Sequence, residues 1–150
     1  MAIAGCSGLS VHKSTLTGAS LGLIVLMDSI SQAEPVDDGC IVVCGSHGGS
    51  SSGEIALARQ LLCVVFNDAG VGKDQAGLAN LALLQAHGRA AATVAHTSAR
   101  IGDARDTWQN GVLSHVNAAA AALGAQPGQL LRGWLAGSAQ PGAAWIGPTS

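Results

Sequence analysis

The residues able to do chemistry collect in three short glycine-bearing segments. They are Cys-Gly-Ser-His-Gly-Gly at 44–49, Asn-Asp-Ala-Gly-Val-Gly-Lys-Asp at 67–74 and His-Thr-Ser-Ala-Arg-Ile-Gly-Asp at 96–103. In the first, glycines let the backbone approach a ligand closely. Successive amides of Gly48 and Gly49 leading into a helix favour an anion. Ser46 adds a hydroxyl, and His47 an acid, a base or a hydrogen-bond donor. A tight strand-to-helix turn would use the same glycines and serines for geometry alone.

The second segment reproduces part of a phosphate-binding loop, Gly70-Val71-Gly72-Lys73. The first glycine of that pattern would fall on Asn67, and the Mg²⁺-binding Ser/Thr on Asp74, so an ATPase or GTPase reading is rejected. What survives is Lys73 beside two carboxylates, either an anion-binding lysine or a structural Lys–Asp pair. Asp68, at the end of an apolar run, is the stronger acid/base candidate. The third segment offers His96 as a base and Arg100, whose planar fork takes a carboxylate bidentately. Asp103 could hold Arg100 in an internal ion pair or orient His96. Cys44 or Ser46 beside His47 is a conceivable nucleophile. No G-x-S-x-G elbow occurs, and no cysteine or histidine spacing suits zinc.

Each segment follows a short apolar run and precedes a stretch able to be helical. Residues 40–44 (CIVVC), 61–66 (LLCVVF) and 90–95 (AAATVA), with 21–27 (LGLIVLM) before them, read as strands buried on both faces. Helices are expected over 53–60, 75–87, 107–123 and 127–136, with Gly88 and Gly124 as stops and Pro127 in a first turn. The pattern predicts an α/β fold with a mainly parallel, four- to five-stranded sheet and helices on both faces. The link 28–40 is short for a parallel crossover, which leaves an antiparallel first pair and a mixed sheet open. Loops at the carboxyl ends of parallel strands share one edge, where ligands bind. The three segments are therefore expected to form one site, with Asp28-Ser29 a fourth contributor. His115 and Trp108 would share one face of the helix 107–123, read as an oligomer seam.

At 150 residues the chain is expected to be one domain over 1–136, opening with an N-terminal arm and followed by a tail at 137–150. Its charged share is 11%, against roughly 25% in typical domains, so much surface is expected to be covered in a homo-oligomer. The net charge is −2 with no basic tract, no Tyr and one Phe, which argues against nucleic-acid partners. No apolar run approaches the about 20 residues that span a bilayer. The cysteines read as buried hydrophobes in a reducing compartment, so the expectation is a cytoplasmic protein without membrane partner, metal or cofactor.

The residues lead us to expect a small enzyme for a compact anionic, carboxylate-bearing metabolite, working by acid/base hydrolysis or isomerisation. Asp68, His47 and His96 would move protons; Ser46, Gly48, Gly49, Lys73, Arg100 and Asp103 would hold the substrate. The rival readings are a non-catalytic anion-binding or regulatory module and a structural subunit of a larger assembly.

Overall fold

The computed structural model describes residues 13–16, 23–71 and 78–137. Lys73, Asp74, most of the expected N-terminal arm and nearly all of the tail lie outside the described residues. Six strands form one sheet in sequence order: β1 (Lys13–Leu16), β2 (Ile24–Met27), β3 (Ile41–His47), β4 (Cys63–Asn67), β5 (Ala90–Val94) and β6 (Leu113–Val116). The four central strands, β2 to β5, are parallel, and β1 and β6 add antiparallel edges. The fold is α/β and mainly parallel, as the alternation of apolar runs with helical stretches predicts. The two edge strands take the count beyond four or five.

The pair joined by the link 28–40, β2 and β3, is parallel, with Ile24 opposite Ile41 and Met27 opposite Cys44. Two 3-10 turns, Ile30–Gln32 and Pro35–Asp37, suffice for that crossover. Their ends are closed locally: Ser29 and Gln32 form a capping box, and Pro35 presets the first turn of the second.

Helices cover both faces, but not through alternating crossovers. Strands added one after another in a single direction send every right-handed crossover to the same face. That face carries the first 3-10 turn, α1 (Ser50–Leu57) and α2 (Ala79–Ala86). They bury Ile30, Ala56, Leu81 and Leu84 against Val25, Met27, Val42, Cys44, Val64 and Phe66. The other face is covered by the chain after β5: α3 (Ala104–Asn110), α4 (Ala118–Ala122) and α5 (Leu131–Gly137). Trp108, Ala120, Leu131 and Trp134 pack there on Ile24, Ile41, Val43, Val65 and Ala92. The strict alternation Cys63, Val64, Val65, Phe66 between the two cores is the period-2 pattern of a sheet buried on both sides. Among the described residues no helix is long and apolar enough to cross a membrane.

The expected helix 107–123 is corrected to helix, strand, helix. The chain leaves helical geometry at Gly111 (φ −60°, ψ 137°), where an added Cβ would press on the Thr107 carbonyl and the Val94 side chain. β6 then follows and pairs with β5. Helix propensity in the run of alanines is real but confined to α4; pairing along β5 wins over 113–116. Trp108 is 1% exposed in the core of its own chain and His115 lies on β6, so no shared helical seam exists. Asn117, expected within that helix, is instead the cap of α4. Its side chain accepts from the amides of Ala91 and Ala120 and donates to the carbonyls of Leu81 and Arg89. All four of its hydrogen-bonding positions are used.

A candidate acid/base site at the carboxyl edge

The segments after β3, β4 and β5 meet at the carboxyl edge of the sheet, and backbone contacts show how. After β5 the chain turns back over β4 towards β3 and β2 before entering α3. The Gly102 amide donates to the Gly45 carbonyl, the Gly45 amide to the Asp28 carbonyl, and the Ala104 amide to Asp28 Oδ1. Asp28 therefore contributes to the edge by tying α3 down. Glycine is required at 45, because a Cβ there would collide with the backbone of Gly102 and Asp103. Asn67, fully buried, ties its own segment to the third: its Nδ2 donates to the Ala99 carbonyl, and its Oδ1 accepts from the Ala69 amide of its own turn. Asn67, one of the two positions that fail the phosphate-loop pattern, thus pins two segments of the edge together.

Asp68 comes directly after β4 and is 4% exposed. Its Oδ1 accepts from the amides of Gly70 (2.8 Å) and His96 (3.0 Å) and lies 3.4 Å from His96 Nδ1. Burial raises the pKa of this carboxyl, but the donors Gly70, Ser114 and His96, with the His96 charge, outweigh it. The net effect holds Asp68 below the ordinary carboxylate range. The His96 side chain is 53% exposed. The turn 69–71 runs with positive φ at Ala69 (54°), Gly70 (77°) and Val71 (70°). Gly70 lies over the imidazole, since a Cβ on it would sit 3.4 Å from Cε1. A left-handed valine is a strained residue, of a kind that gathers at functional sites.

His47, the last residue of β3, is also exposed, but its ring is held differently. The Gly49 amide donates to His47 Nδ1 at 3.0 Å. That nitrogen keeps its lone pair, so a neutral His47 carries its proton on Nε2 and presents a donor. His96 faces a carboxylate through Nδ1 at 3.4 Å, so a neutral His96 with its proton on that side presents the Nε2 lone pair. Among the described residues neither Nε2 has a hydrogen-bond partner. One edge thus carries an outward donor and an outward base.

The remaining candidates are placed as follows. Ser46 Oγ accepts from the Ile30 amide. The Gly48 amide donates to the Asn67 carbonyl, and the Gly48 carbonyl accepts from the Asn80 amide. The two amides expected to cradle an anion are therefore engaged within the chain. Arg100 and Asp103 do not join the Asp68–His96 pair. They line a separate open depression on α3 of about 320 Å³ with Arg105, Asp106 and Gln109. Asp103 caps α3 through the Asp106 amide, and the Arg100 amide donates to Asp106 Oδ2. Cys44 is fully buried, its thiol donates to the Val65 carbonyl, and burial pushes its pKa up to about 12. A thiol so placed is no nucleophile at neutral pH. No group of three His, Cys, Asp or Glu able to hold a metal ion occurs among the described residues.

Reading the residues alone misses Asn67, Thr93 and Ser114. Asn67 stands beside Asp68 and could have been suspected as a turn residue. Thr93 and Ser114 give no local signal, because they meet only when β6 pairs with β5. The chain has no significant match among family models, curated proteins or solved structures, so the reading of this edge rests on its own geometry.

Proposed function

We propose that the protein is a small enzyme that performs acid/base chemistry, hydrolysis or isomerisation, on a compact carboxylate-bearing metabolite at this edge. The observation that carries the reading is the Asp68–His96 pair, a buried carboxylate against one nitrogen of an exposed imidazole. Such a carboxylate fixes the tautomer and stabilises the imidazolium formed when Nε2 takes a proton. His96 is the base, Asp68 its positioning residue, and His47 the donor across the edge. β3 and β5 are two strand spacings apart, about 10 Å, which suits a small molecule between the two rings. Lys73, five positions after Asp68 in the sequence, is the cation proposed to meet the substrate's charge.

The test offers the purified protein small keto acids in D₂O, with α-carbon deuteration followed by proton NMR, and p-nitrophenyl esters of small acids in parallel. The expected result is exchange or hydrolysis that falls about 10²- to 10⁴-fold in His96→Gln. Turnover that survives His96→Gln sinks the assignment of the base. Saturable binding of the same acids without turnover turns the reading to an anion-binding module.

A further inference from the structure

α1 and α2 meet at their first turns, and the contact leaves one polar side chain without a partner. The Asn80 amide, in the first turn of α2, donates to the Gly48 carbonyl, just before α1. A Cβ added to Gly53 would fall 2.6 Å from Asn80 Cβ and 3.3 Å from Asn80 Cα. The Asn80 side chain therefore leaves α2 towards the first turn of α1, and only glycine at 53 allows so close an approach. Asn80 is fully buried, and among the described residues neither its Oδ1 nor its Nδ2 has a hydrogen-bond partner. A buried amide left in that state is costly, so its presence calls for a group that meets it. The start of α1 has a matching need. An eight-residue helix begins with amides that no intrahelical carbonyl can reach. His47 Nδ1 meets the Gly49 amide, but Gly49, the N-cap, has no side chain to meet the next ones. Among the described residues the Ser51 and Ser52 amides have no acceptor, and Ser52 is buried.

We propose that this helix start, completed by the Asn80 side chain, is a binding site for an oxyanion group, a carboxylate or a phosphate. The unmet amides and the positive end of the helix dipole favour negative charge there. Asn80 Nδ2 supplies two further donors from the α2 side. The His47 ring lies over Gly49, since a Cβ on that glycine would strike it, so the same helix start carries the ring whose Nε2 is a donor. The site goes beyond the acid/base reading, because it uses neither Asp68 nor His96.

The test titrates the ¹⁵N-labelled full chain with sodium acetate and, separately, with inorganic phosphate, using sodium chloride as the control for ionic strength. The Ser51 and Ser52 backbone amides and the Asn80 side-chain amide are followed by NMR. Saturable shifts at these three groups are expected, and the anion that binds more tightly names carboxylate or phosphate as the group held. Asn80→Leu, apolar and of similar size, should weaken that binding about ten- to hundredfold, as loss of a hydrogen bond to a charged group does. Asn80→Ala serves if Asn80→Leu does not fold. Water alone in the site would give no saturable shift in the parent chain, and that result overturns the proposal. Equal affinity in a folded Asn80 variant overturns it as well. Anion binding in a protein that turns over no probe ends the enzyme reading and leaves the site standing; turnover without anion binding here does the reverse.

Discussion

His47 and His96 stand after β3 and β5 on one sheet edge, yet their rings lean on different partners. His47 leans on a backbone amide, which takes its Nδ1 lone pair and turns Nε2 into a donor. His96 leans on a buried carboxylate, which faces Nδ1 and favours the proton there, leaving the lone pair on Nε2. The two residues have the same chemistry in isolation. What separates them is the partner of the nitrogen that faces the protein. The comparison extends to their loops. The segment around His47 spends Ser46, Gly48 and Gly49 on internal hydrogen bonds. In the segment around Asp68, the Gly70 amide is spent on a charge.

If the two rings differ as described, exchanging them for glutamine should have unequal effects. His96→Gln removes the base and is expected to reduce turnover about 10²- to 10⁴-fold. His47→Gln retains an amide donor and should cost only about tenfold, as loss of one well-placed neutral hydrogen bond does. Steady-state rates on the same probe decide it, and equal losses erase the distinction.

The edge that carries both rings depends on Gly45. Gly45→Ala should push the segment 96–103 away from β3 and destabilise the fold by about 3 kcal/mol. Urea unfolding measures this, and a change under 1 kcal/mol would mean that the close approach is not needed.

The carboxylate beneath His96 should make stability depend on acid. A carboxyl whose folded pKa is depressed contributes stability that is fully present above its unfolded value, about 4. That contribution is lost as pH falls through the lower folded value, because the unfolded chain takes the proton first. Unfolding curves between pH 3 and 7 should therefore show a shallower acid loss in Asp68→Asn than in the parent. Near neutrality Asp68→Asn should be less stable by about 1–2 kcal/mol, as one charge-assisted acceptor is replaced by a neutral one.

The smallest effect concerns the turn over the His96 ring. Val71→Gly relieves a left-handed β-branched residue and should raise stability by about 1 kcal/mol. A loss of stability on thermal unfolding would show that the valine side chain matters more than its backbone.

Much of this was legible before any coordinates. Four apolar runs became the parallel centre of the sheet, because residues buried on both faces must be apolar without a gap. Asp68 and His96 stood out as acid/base residues where such runs end. The segment 107–123 reads as one helix because its alanines favour helix locally, while the partner that makes 113–116 a strand lies some twenty residues earlier. Arg100 and Asp103 looked like site residues by type. Asp103 caps α3, and the depression it shares with Arg100 does not include Asp68 or His96.

The sequence by itself determined which segments are strands of a buried sheet and which loops carry titratable groups, since both follow from local hydrophobicity and residue type. Only the tertiary structure decided that a buried carboxylate faces the His96 ring and that the Asn67 side chain reaches the Ala99 carbonyl. Those contacts join residues 28 and 32 positions apart, and which groups meet is fixed only once both segments are in place.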